Sequence, residues 1–135
     1  MCGLFGFTGR REAGEVLLDG IRRLEYRGYD SAGVVTSTGD RLHVRKQVGR
    51  VADLARALQE HPAPGCHGIA HTRWATHGGV TEANAHPHTD ETGDFALVHN
   101  GVIENFASLK RQLQAEGVVF RSDTDTEVLA HLVAR

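Results

Sequence analysis

Four β-leaning runs, none longer than seven residues, set the limits on what this chain can fold into. They are Cys2–Thr8, Ala32–Ser37, Arg41–Gln47 and His67–Arg73. The second and third are joined by Thr38-Gly39-Asp40, a hairpin signal. Strands that turn straight back pair antiparallel, whereas parallel pairing needs a long crossover between strands. The expected class is therefore α+β with antiparallel sheet. Two shorter β-rich runs follow, Asp94–His99 and Val118–Arg121.

The helices are read from 3.6-residue spacing. Ala13–Tyr26 places Val16, Leu17, Ile21 and Leu24 on one face, with Gly28 as a left-handed cap. Val51–Glu60 turns Val51, Leu54, Ala55 and Leu58 inward. Asn105–Glu116 has Asn105 as N-cap and Gly117 past its end. Asp125–Ala134 carries Val128, Leu129, Leu132 and Val133 on one face and meets no Gly or Pro stop, so the natural polypeptide is expected to continue. Between Trp74 and Glu91 no period is evident. Long loops of this kind inside compact domains usually carry function.

The 135 residues suit one domain, and 40% hydrophobic with 24% charged residues is ordinary for a globular chain. A net charge of -2 gives no electrostatic case for nucleic acid or an anionic membrane. There is no membrane-length apolar run and no signal-peptide pattern, so a cytoplasmic location is the default expectation. Two cysteines, Cys2 and Cys66, do not make a disulfide framework. Sixteen glycines, about 12% of the chain, point to tight turns or close backbone approaches.

Chemistry starts at the N-terminus. Cys2 follows Met1, and loss of that methionine would leave a thiol and a free α-amine on one residue. An α-amine has a pKa of roughly 7.7–8 and can take the thiol proton near neutral pH. Position alone leaves open an ordinary buried thiol on a first strand. Asn100-Gly101 after a β-run reads as a plain turn or as a pair of oxyanion donors. Asp125 reads as a helix N-terminal charge or as a ligand carboxylate. Trp74 is core or pocket wall. His86-Pro87-His88 with His99 invites a zinc reading, but only one closely spaced pair is present, and zinc sites usually bring two.

Five polar clusters fall at turns or strand ends. They are Tyr26-Arg27-Gly28-Tyr29-Asp30-Ser31-Ala32-Gly33, His71-Thr72-Arg73-Trp74-Ala75-Thr76-His77-Gly78, Asn84-Ala85-His86-Pro87-His88, His99-Asn100-Gly101 and Ser122-Asp123-Thr124-Asp125-Thr126-Glu127. With Cys2-Gly3 they resemble, in order and over the whole chain, the N-terminal glutaminase domains of the glucosamine-6-phosphate synthase family of class II amidotransferases. The phosphoribosyl pyrophosphate amidotransferases share the Cys start and the His-Asn-Gly element but resemble the first two clusters less well.

The resemblance implies an N-terminal-nucleophile hydrolase fold, a four-layer α/β/β/α sandwich of two antiparallel sheets, incomplete in this chain. Residues 1–135 are then a C-terminally truncated glutaminase domain, without the sugar isomerase domains. It implies hydrolysis of the L-glutamine side-chain amide, with Cys2 as nucleophile and Asn100 and Gly101 as oxyanion donors. Arg73 meets the substrate carboxylate and Asp125 its ammonium. Trp74, Thr76 and His77 line the pocket, and Arg27 supports the nucleophile. No metal or other cofactor is implied. Fructose 6-phosphate enters only through the absent domains, and the full-length enzyme is expected to be a homo-oligomer. A glutamine-binding fragment without turnover, the glutaminase domain of another class II amidotransferase, and a metal-binding regulatory module are the alternatives.

Overall fold

A computed structural model describes all residues 1–135. Its main sheet has the strands β1 (Gly3–Thr8), β2 (Ser31–Ser37), β3 (Leu42–Val48) and β4 (His67–Arg73) in the spatial order β1-β4-β2-β3, with every pairing antiparallel. The register sets Gly3 opposite Thr72 on one side of β4 and Ala32 opposite Thr72 on the other. Cys2, the end of β4 and the start of β2 therefore meet at one end of the sheet.

Side chains alternate across a strand, so one face carries Phe5, Ala32, Val34 and Ala70. Helices α1 (Ala13–Arg22) and α2 (Val51–Glu60) cover that face. Ala13, Leu17 and Ile21 recur at four-residue spacing and are fully buried with Val34, Leu54 and Ala70 in the main core. The first backbone N–H groups of α2 find carboxylates: Asp53 accepts from Arg50 at 2.8 Å and Glu25 accepts from Val51 at 2.7 Å.

The opposite face carries Gly33, His71 and Arg73 and meets a polar layer. A Cβ at Gly33 would lie 1.9 Å from the His86 carbonyl oxygen, so only glycine lets that strand and the 84–88 segment come so close. The His71 and His86 rings stack at 4.2 Å. A short antiparallel ladder, β5 (His88–Thr89) with β6 (Ala96–Leu97), follows; helix α4 (Thr126–Val133) packs on it, and helix α3 (Phe106–Ala115) packs against α4. Leu113, Val118 and Val128 form their small core. The layer order is helix, sheet, sheet, helix, with the second sheet reduced to two residues per strand.

Four expectations change. The run Asp94–His99 keeps only Ala96–Leu97 as strand. Helix α1 stops at Arg22, a 3₁₀ turn spans Glu25–Arg27, and Gly28 is extended at φ -173° rather than left-handed. A Cβ on Gly28 would come within 2.7 Å of the Arg73 backbone, which explains glycine there. Val118–Arg121 is not a strand. Its N–H groups are taken by side chains, Val119 by Glu91 at 3.0 Å and Arg121 by Glu127 at 2.8 Å. Asn105 sits at the start of α3 without capping it, whereas the far end closes as a Schellman motif: Gly117 (φ +96°) donates to Gln114 O and Val118 to Leu113 O, each at 3.0 Å.

The stacked histidines make folding pH-dependent. Burial depresses the pKa of His71 from 6.5 to about 4 and of His88 to about 3, and it lowers His86 as well. Unfolded histidines take protons that these refuse, so this stabilisation is complete above pH 6.5 and is lost as pH falls through about 4. Urea midpoints are expected to drop over that window, and His71→Leu is expected to flatten the slope. A parallel slope in the variant would remove His71 from the account.

Candidate active site

Cys2 sits one residue before β1, and the register lays it against the end of β4. The Trp74 backbone N–H points at its sulfur, 3.3 Å away. The Cys2 carbonyl accepts from Arg27 Nε at 3.1 Å and from Asn100 Nδ2 at 3.4 Å. These contacts fix the backbone of the first residues from two sides.

A cavity of about 210 Å³ opens beside the sulfur. It is smaller than the ~300–1,000 Å³ typical of drug-sized ligands, which suits a small metabolite. Its lining includes Cys2, Arg73, Trp74, Thr76, His77, Asn100, Gly101 and Asp125. Of the residues singled out from the sequence, Arg27 alone is outside the lining; it stands behind Cys2. The wall also takes in His99, Thr124 and Thr126, which the sequence reading named within its clusters but gave no substrate role, and Val102, which it did not name. Thr124 and Thr126 flank Asp125, and a polar residue on each side of a candidate ligand is a signal available from sequence.

Both charged groups of the wall are buried. Arg73 is 4% exposed and Asp125 is 4% exposed. The Arg73 guanidinium is partly engaged: Nη1 donates to Gly79 O at 2.9 Å, and Nη2 donates to the His77 and Gly78 carbonyls. Burial lowers its pKa, while Cys2, Asp30 and Asp125 oppose that shift. The cation thus clamps the 77–79 loop, a duty beyond the carboxylate contact expected of it. Asp125 Oδ2 accepts the Ile103 N–H at 2.7 Å. The His99 ring lies under Gly101, where a Cβ would come 2.7 Å from Nε2. The histidines near the cleft are spent on neighbours: His86 Nδ1 accepts the His99 N–H at 3.3 Å, and His88 Nε2 shares a hydrogen bond with Thr124 Oγ1 at 2.9 Å. Neither ring nitrogen of His71 has a partner.

The 74–76 segment is tied to the sheet through Asp30. Its Oδ2 accepts the Ala75 N–H at 2.8 Å, and its own N–H donates to Arg73 O at 3.1 Å. The Trp74 side chain is 47% exposed and meets Tyr29 edge-on at 5.9 Å.

The glutamine amidotransferase domain family matches residues 50–135. A glutamine–fructose-6-phosphate aminotransferase [isomerizing] of Symbiobacterium thermophilum is 59% identical over 135 residues, covering 99% of this chain and 22% of that protein. One of Thermus thermophilus is 58% identical over 133 residues, covering 98% and 22%. The chain thus spans about a fifth of these relatives' length. Among solved structures, the glutamine phosphoribosylpyrophosphate (PRPP) amidotransferase from B. subtilis complexed with ADP and GMP superposes with a TM-score of 0.84 at 33% identity, over 100% of this chain and 29% of that one. A structure described as the allosteric regulatory enzyme of purine biosynthesis gives 0.86 at 34%, over 100% and 30%.

Asp30→Ala is expected to free the 74–76 segment. Loss of one backbone anchor predicts a stability cost of about 1–2 kcal/mol in urea unfolding. Acrylamide quenching of Trp74, the single tryptophan of this chain, should rise with it. Unchanged quenching would show that Asp30 does not fix the loop.

Proposed function

Because the chain belongs to the glutamine amidotransferase domain family, we propose that its cleft hydrolyses the side-chain amide of L-glutamine through a thioester on Cys2. The observation that carries this reading is the meeting of a thiol, an Asn-Gly pair, a buried cation and a buried anion around one cavity of about 210 Å³. An amidase for a free amino acid needs each of these parts.

The steps follow from the groups present. Removal of Met1 frees the Cys2 α-amine, whose pKa of roughly 7.7–8 lets it take the thiol proton. The thiolate, beside the Trp74 N–H, attacks the amide carbon. The carbonyl electron pair moves to oxygen, where the Asn100 side-chain N–H and the Gly101 backbone N–H receive it. One such donor is worth about 2.7–4 kcal/mol of barrier. The ammonium on Cys2 returns its proton to the leaving nitrogen, the C–N bond breaks and ammonia departs. Water then attacks the γ-glutamyl thioester, regenerating the thiol and giving glutamate. Asp125 takes the α-ammonium of the substrate, and Arg73 offers its remaining N–H bonds to the α-carboxylate. Trp74, Thr76 and His77 form the wall, and Arg27 steadies the Cys2 backbone from behind.

The relatives' name directs the ammonia. We place this chain as the N-terminal part of a glutaminase domain that feeds the conversion of fructose 6-phosphate to glucosamine 6-phosphate. The sugar chemistry belongs to the part of the relatives that this chain does not span. No helix is long and apolar enough to cross a membrane, and both cysteines are free thiols, which fits action in the cytoplasm.

A diazo-ketone analogue of glutamine is expected to add one equivalent to Cys2 of the complete gene product and to spare Cys66. Intact-mass measurement should show Met1 absent. Cys2→Ala should remove glutamine hydrolysis by about a thousandfold or more, as loss of a nucleophile does. Label on Cys66, or hydrolysis persisting in Cys2→Ala, would overturn the assignment.

A further inference from the structure

The Asn84–His88 run has no part in the steps above, yet its first residue lies between the two charged ends of the cleft. Asn84 is 1% exposed. Its Nδ2 donates to Gly79 O at 3.0 Å, the same carbonyl that accepts from Arg73 Nη1 at 2.9 Å. Its Oδ1 accepts the Asp123 N–H at 2.8 Å, two residues before Asp125. Nδ2 also reaches Asp123 Oδ2 at 3.4 Å. A carbonyl on one side and an N–H on the other fix which way the amide points. No other residue touches both loops with one side-chain group in this way: one amide spans from the carbonyl under the Arg73 cation to the chain that delivers the Asp125 anion.

We propose that Asn84 is a positioning residue for the amino-acid end of the substrate, setting the separation between Arg73 and Asp125. The inference rests on the glutaminase reading above. A substrate bound through an ammonium and a carboxylate on one carbon needs its two charged partners at a fixed spacing. Arg73 sits at the end of a strand, and Asp125 sits at the start of a helix in the other half of the molecule. Neither element fixes the distance to the other. The Asn84 amide does, because its carbonyl oxygen and its nitrogen each hold one of the two loops. Aspartate at this position would lose the donor to Gly79 O and set a carboxylate against Asp123. Alanine would lose both bonds. Gly78 shows how tight the join is: at φ +77°, a Cβ there would lie 2.7 Å from Asn84 Nδ2.

The test is steady-state glutamine hydrolysis by the complete gene product, with iodoacetamide alkylation of Cys2 as a second readout that needs no grip on an amino acid. Asn84→Ala is expected to raise KM for glutamine by about tenfold or more while kcat stays within about threefold, the pattern of lost substrate binding. Iodoacetamide should alkylate Cys2 at close to the wild-type rate. An unchanged KM overturns the proposal. So does a proportional fall in kcat and in alkylation, which marks general damage to the site. If Asn84→Ala does not fold, Asn84→Asp carries the test, since it keeps the acceptor for the Asp123 N–H and loses the donor to Gly79 O: the same rise in KM supports the proposal, and an unmoved KM overturns it. A wild-type protein that hydrolyses no glutamine would overturn the glutaminase reading itself, and the wild-type control tells that failure apart from one confined to Asn84.

Discussion

The antiparallel pairing of β1 with β4 is the constraint on which the rest of the molecule depends. Cys2 directly precedes β1, so it goes where the pairing puts it. Gly3 opposite Thr72 leaves Cys2 level with Arg73 and Trp74. A slip of one residue would turn every side chain of β1 to the other face. Phe5 would leave the core under α1, and the sulfur would leave the cavity. The buried cluster of Leu17, Ile21, Val34 and Ala70, by holding the register, therefore helps to fix the place of the thiol.

The two faces of the main sheet do different work. The face under α1 and α2 is mostly apolar and held by dispersion and burial, worth about 0.8 kcal/mol for each buried methylene. Of its buried hydroxyls, Thr36 donates to Pro64 O and Thr72 accepts the Gly3 N–H. The other face mixes Val35 and Ile69 with Gly33, His71 and Arg73, and it packs against loops whose polar groups need bonds. Arg73 takes carbonyls of the 77–79 loop, Glu127 takes the N–H groups of Arg121 and Ser122, and His88 takes Thr124. These bonds join loops that the short second ladder does not organise. The resulting layer order is that of the N-terminal-nucleophile hydrolases, the fold shared with the amidotransferase structures to which this chain is similar.

Much of this was legible in the residues. The four main strands lie within a residue or so of where the short β-rich runs put them, because tight turns bound each run. Val51–Glu60 appears as read, since its apolar spacing has no competing pattern. Eight residues named for the site line one cavity. What escaped was the use of side chains as backbone partners. Val118–Arg121 has strand composition, but Glu91 and Glu127 take its N–H groups, and no sequence pattern reports a carboxylate arriving from elsewhere in the chain. The same blindness hid the clamp of Arg73 on its own loop and the span of Asn84. Both depend on carbonyls, and carbonyls are alike in every residue.

The central claim is spatial: one cavity presents the Cys2 sulfur, two oxyanion donors and a cation–anion pair to a single amino acid. A crystal structure of the complete gene product carrying the covalent diazo-ketone adduct tests it most directly. The account predicts a bond from the ligand to Sγ of Cys2, the ligand carbonyl oxygen within hydrogen-bond reach of Asn100 Nδ2 and Gly101 N, its ammonium on Asp125 and its carboxylate on Arg73. An adduct whose amino-acid end lies outside the space between Arg73 and Asp125 would contradict it.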